Sequence, residues 1–65
     1  MYFNLKAEMV RRNMTGGELA EIIGINSSTF SAKLNGKYDF TLAEALAIKK
    51  ALKTEVSIEE LFAFD

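Results

Sequence analysis

The chain contains no cysteine, histidine, proline or tryptophan. Without cysteine the fold has neither disulfide staples nor a thiolate metal site, and without histidine it lacks the commonest general base and metal ligand. The nine Asp and Glu residues fall mostly where a helix would expose them or use them as caps. Neither an enzyme activity nor a metal or cofactor is therefore expected. No apolar run approaches the ~18 residues that a membrane-spanning helix needs, so no membrane partner is expected. The first residues, Met1-Tyr2-Phe3-Asn4-Leu5-Lys6, also lack the basic stretch and long apolar block of a secretory signal. The expected compartment is the cytoplasm.

A strong basic excess is missing too. The formal charge is −1, whereas binding to nucleic acid usually shows as a surplus of Lys and Arg. The distribution is more informative than the sum. Residues 1–37 hold five cations (Lys6, Arg11, Arg12, Lys33, Lys37) against three acids (Glu8, Glu18, Glu21), a net of +2. Residues 38–65 hold three cations against six acids, a net of −3. An anionic partner should meet the N-terminal part. At 65 residues the chain is short enough that residues 1–65 form one domain around one core.

What is present reads as five helices joined by tight turns. The first is expected over Leu5–Asn13 with Asn4 as cap, where Phe3, Ala7, Val10 and Met14 recur at helical spacing beside Leu5 and Met9. Arg11 and Arg12 lie in its last turn, where positive charge suits the helix dipole. Thr15 and Glu18 stand in capping-box spacing before Leu19, Ile22 and Ile23, and Gly24 stops that helix. Asn26 caps a third, with Ile25 and Phe30 spaced as a hydrophobic staple, and Asn35-Gly36 ends it. Thr41 and Glu44 open a fourth, whose core side is expected to carry Leu42, Ala45, Leu46, Ile48 and Leu52. Ser57 and Glu60 open a short fifth, with Val56 placed to staple to Leu61. The expected fold is all-α.

The segment 15–36 is a short helix, a turn and a second short helix. Ala20 is small enough for the two helices to cross closely, and Gly24 supplies the left-handed conformation that the turn requires. With Phe30 and Leu34 inward, the opposite face of the second helix shows Ser28, Thr29 and Ala32, all short side chains. The helices opened by Thr15, Thr41 and Ser57 each place Glu in the first turn, but this one begins Asn-Ser-Ser-Thr. Its positive end therefore lacks a neutralising carboxylate, which suits a phosphate. Ser27, Ser28 and Thr29 equally suit the first turn of a solvated helix.

The order and spacing of Arg11-Arg12-Asn13-Met14-Thr15, Glu18-Leu19-Ala20-Glu21, Gly24-Ile25, Leu34-Asn35-Gly36-Lys37 and Ser57-Ile58-Glu59-Glu60-Leu61-Phe62 resemble the XRE family of helix-turn-helix regulators. This lambda-repressor-like group includes phage repressors and Cro-type proteins. The resemblance implies a compact five-helix DNA-binding domain that acts as a transcriptional regulator of phage or prophage repressor type. It places the helix of about residues 27–34 in the major groove of a double-stranded operator. It assigns Ser27, Ser28 and Ala32 to base edges, and Asn35, Lys37 and either Thr29 or Ser31 to phosphate, with Lys33 and Tyr38 ranking behind them.

Two positions depart from the family pattern. Gly16 stands where many relatives carry a glutamine that touches both phosphate and the recognition helix. Lys33 stands where many carry an apolar residue, so either the recognition helix is rotated slightly or Lys33 extends along the DNA backbone. With few cations in the face, a homodimer on a two-fold operator is the expected binding form. Phe62 is expected to close the core and Phe64 to be a loose tail, with both also available as dimer contacts. The competing expectation is a protein-interaction module, such as an antitoxin or assembly-factor domain, favoured by the acidic balance and by Gly16.

Overall fold

Local capping sets where the helices begin. The hydroxyls of Thr15 and Thr41 accept from the N–H groups of Glu18 and Glu44, both at 3.1 Å, and each glutamate accepts the threonine N–H in return. Asn26 Oδ1 accepts from Ser28 N–H at 2.8 Å, and Ser57 Oγ accepts from Glu60 N–H at 3.2 Å. In this last cap the return bond differs from the expected box, because the Ser57 hydroxyl, not its backbone N–H, donates to Glu60. The computed structural model describes all 65 residues and contains α1 (Phe3–Arg11), α2 (Gly16–Ile23), α3 (Ser27–Leu34), α4 (Leu42–Leu52) and α5 (Ile58–Leu61), with no strand. None of these helices is long and apolar enough to cross a membrane.

One termination device recurs. Residues Asn13, Gly24 and Gly36 adopt left-handed backbone, at φ of 55°, 80° and 84°. Behind each, two N–H groups turn back onto the helix: Asn13 to Val10 and Met14 to Met9, Gly24 to Glu21 and Ile25 to Ala20, Gly36 to Lys33 and Lys37 to Ala32. These are Schellman ends, which satisfy carbonyls the helix leaves open. Asn13 is therefore a terminator beyond the first helix, which was expected to continue through it. That helix also begins earlier than expected. Tyr2 is buried among aromatic rings and anchors the chain before residue 3, so Asn4 lies inside α1 and its Nδ2 donates across to the Glu60 carbonyl at 2.7 Å.

The core draws on every helix: Leu5 and Met9 from α1, Leu19 and Ala20 from α2, Phe30 from α3, Ala45, Ile48 and Leu52 from α4, and Leu61 from α5, with Tyr2 ahead of them. α2 packs on α3 and α4, while α5 bridges α4 and α1. Two expected stripes are corrected here. On α1, Phe3, Ala7 and Val10 face solvent, because the buried line runs through Leu5, Glu8 and Met9. On α4, Leu42 and Leu46 face solvent, because Ala45, Ile48 and Leu52 at i, i+3 and i+7 make the inner face.

Glu8 breaks the expectation that the carboxylates are surface or caps. It is 2% exposed. Arg11 pairs with its Oε2, Arg12 NH2 lies 3.8 Å from its Oε1, and the Thr54 hydroxyl donates to Oε1. A buried carboxylate is tolerable when it is paired and hydrogen-bonded in this way. Lys49 ties the same region together, donating to the carbonyls of Thr54 and Val56 at 2.9 and 2.8 Å.

Edge-to-face rings join α3 to the ends of the chain. Phe30 meets Phe40 at 5.7 Å, Phe40 meets Tyr2 at 5.5 Å and Phe62 at 5.3 Å, and Tyr2 meets Phe64 at 4.9 Å between centroids. Phe64 is thus held and is not the loose tail expected. Two substitutions separate packing from backbone strain. Phe30→Ala, which empties a fully buried site, is expected to cost about 3–5 kcal/mol, comparable to the whole stability of so small a domain, and to abolish a cooperative thermal transition. Gly24→Ala, where the added carbon meets open space but φ is +80°, is expected to cost about 1–2 kcal/mol and keep a cooperative transition; circular dichroism melts distinguish the two.

Candidate nucleic-acid interface

The outward face of α3 follows from what its inward face buries. Phe30 is fully buried and Leu34 packs partly against the core, so residues a half-turn away must point to solvent. Ser27, Ser28, Thr29 and Ser31 are exposed and Ala32 is half-buried. The Ser28 hydroxyl is oriented by Asn26, donating to its Oδ1 at 2.6 Å. That carboxamide accepts from both the Ser28 N–H and the Ser28 hydroxyl, fixing the first turn. The first turn of α3 contains no acidic residue, so its amide end keeps its partial positive charge. Such a ridge of short hydroxylated side chains fits a groove about 12 Å wide.

At the other end of α3, Asn35, Gly36, Lys37 and Tyr38 are exposed. The Lys37 ammonium forms no ion pair and lies 5.8 Å from the centre of the Tyr38 ring. Of the eight residues expected at the interface, Ser27, Ser28, Thr29, Ser31, Asn35 and Lys37 are exposed and Ala32 is half-buried. Lys33 is the exception and is corrected. Its ammonium turns inward and donates to both Glu44 oxygens at 2.6 and 2.7 Å, with only 13% of its side chain exposed. Neither sequence alternative for Lys33, helix rotation or extension along DNA, describes this arrangement. The side chain braces α3 against the start of α4.

Glu44 does two jobs at once, capping α4 and receiving Lys33. The Lys33 hydrogen bond, followed by the Thr41 N–H, holds its carboxyl below the usual carboxylate range. Arg11 and Arg12 are likewise turned toward a carboxylate of the protein itself, Glu8. The departure at Gly16 has a steric reading as well. A Cβ there would lie 3.3 Å from the Phe30 ring, so the bare backbone of α2 accommodates the aromatic residue that anchors α3. No group of acidic side chains is placed to hold a metal ion.

The profile of the Cro/C1-type HTH DNA-binding domain matches residues 4–65, nearly the whole chain. The chain belongs to that family. No curated protein and no solved structure matches it. The Cro/C1-type assignment makes this a domain that binds double-stranded DNA.

Two measurements separate the lysines of this Cro/C1-type domain. Lys37→Ala is expected to weaken duplex binding and to lower the salt slope of log affinity by about 1. Lys33→Gln is expected to leave that slope unchanged and to cost about 1–2 kcal/mol of stability, between the exposed and buried limits for an ion pair. Acid titration tests Glu44. A carboxyl whose folded pKa is lowered stabilises the fold above its ordinary value of 4.5 and loses that contribution as pH falls through the lower folded value. Urea melts should therefore show wild type losing stability faster than Glu44→Gln below pH 4.5, with parallel behaviour above it.

Proposed function

We propose that the domain is a sequence-specific transcriptional regulator of phage or prophage repressor type, with α3 in the major groove of its operator. The observation that carries this reading is the outward face of α3. Four exposed hydroxyl residues stand on a helix whose opposite side is locked into the core by Phe30, within a chain of the Cro/C1-type family. Ser27, Ser28 and Ala32 would meet base edges, the Ala32 methyl suiting a thymine methyl. Thr29 or Ser31, together with Asn35 and Lys37, would hold phosphates and set the register.

Charge argues for a dimer. Lys33, Arg11 and Arg12 are engaged by carboxylates within the domain, so one copy neutralises few phosphates and binds weakly alone. Two copies on a two-fold site double the contacts, and a dimer that engages both half-sites gains about 10²–10⁴ in effective affinity over one copy. Leu42 and Leu46, 69% and 52% exposed on α4, are apolar surface that a second copy would remove from water.

Mobility shift on random duplex at low salt, followed by selection of bound duplexes from a random pool, tests the reading. The expected outcome is nonspecific binding that fades with added salt and a selected consensus with two-fold symmetry. A protein that shifts no duplex at low salt but retains a protein partner in a pull-down would instead support an interaction module, the role to which the acidic residues 38–65 are suited.

A further inference from the structure

Gly24 and Gly36 end consecutive helices with the same backbone geometry, yet their surroundings differ. A side chain at Gly24 would meet open space, but a Cβ at Gly36 would lie 2.6 Å from Phe64 Cζ and 2.8 Å from its Cε2. The Phe64 ring therefore rests on the Gly36 backbone. The ring is itself gripped from behind. Tyr2 packs edge-on against it at 4.9 Å, and the next residue, Asp65, donates its N–H to the Met1 carbonyl at 3.0 Å while the Met1 nitrogen donates back to the Asp65 carbonyl. A half-exposed phenylalanine at the far end of the sequence is thus clamped beneath the turn that follows α3.

That turn spans Asn35, Gly36 and Lys37, and the Lys37 N–H is already used by the Ala32 carbonyl. Only the side chains of Asn35 and Lys37 remain free to hold phosphate, and their placement depends on how firmly the turn is seated. We propose that Phe64 is a positioning residue for DNA binding: its ring, clamped by Tyr2 and the backbone pairing of Met1 with Asp65, fixes the Asn35–Lys37 turn so that Lys37 reaches the phosphate backbone. The proposal rests on the DNA-binding reading of α3 given above.

The test is a double-mutant cycle of Phe64→Ala and Lys37→Ala on duplex affinity at low salt, at a temperature where every variant is folded. Phe64→Ala, which removes no charge, is expected to weaken binding about fivefold, and the loss caused by Lys37→Ala is expected to shrink in its presence. Phe64→Tyr, which keeps the ring, is expected to bind within about twofold of wild type. In the free protein, NMR should show the Gly36 Hα signals displaced upfield by the ring in wild type and relaxed toward ordinary values in Phe64→Ala. If Phe64→Ala does not fold, Phe64→Leu takes its place in the cycle, keeping apolar bulk without the aromatic face. Wild-type affinity in Phe64→Ala, or losses from the two substitutions that simply multiply, would overturn the positioning role while leaving DNA binding intact. A wild-type protein that binds no duplex would overturn the DNA reading itself, and this role with it.

Discussion

Burial of the Phe30 ring is the constraint from which the rest of the interface follows. A ring with no solvent exposure fixes the rotation of α3 about its axis, and a helix has only one opposite face to offer. The serines and threonine reach solvent because Phe30 does not. The same ring explains features that look unrelated in the sequence: glycine at the first position of α2, where a Cβ would crowd it, and Phe40 packed edge-on against it. Aromatic pairs of this kind add about 0.5–1.5 kcal/mol each beyond their area, a substantial share of the stability of a domain this small.

Around that anchor, two clusters of charged groups serve as internal fasteners. Lys33 and Glu44 join α3 to α4, and Glu8 collects Arg11, Arg12 and the Thr54 hydroxyl to join α1 to the segment before α5. The consequence for function is economical use of cations. Lys37, at the exit of α3, is left unpaired, so the proposed function draws its affinity from shape, hydroxyl contacts, the helix end and a second copy more than from a broad basic surface. A net charge of −1 is compatible with a DNA-binding fold for this reason.

The helix starts at Thr15, Asn26, Thr41 and Ser57 were legible in the sequence because capping is local: the bonds run between residues two or three apart. The stops at Gly24 and Gly36 were legible for the same reason. What was not legible depended on distant partners. Lys33 reads as a free surface cation until α4 brings Glu44 beside it, and Glu8 reads as solvated until Thr54 arrives from 46 residues away. On α4 the sequence places Leu42, Ala45, Leu46, Ile48 and Leu52 together on the core side, yet only Ala45, Ile48 and Leu52 are buried, since periodicity gives the spacing of a face without fixing how wide a stripe turns inward. Asn13 as a terminator had a signal that could have been read, as asparagine tolerates left-handed backbone better than other non-glycine residues.

The central claim is that duplex DNA meets α3 and its exit turn, and not the acidic half of the domain. Backbone amide shifts recorded while a short duplex is titrated into the isotope-labelled protein test it most directly. The account predicts that the largest changes fall between Asn26 and Tyr38, with α5 nearly silent. Changes concentrated on α4 and α5, with the Ser27–Ser31 amides unmoved, would contradict it.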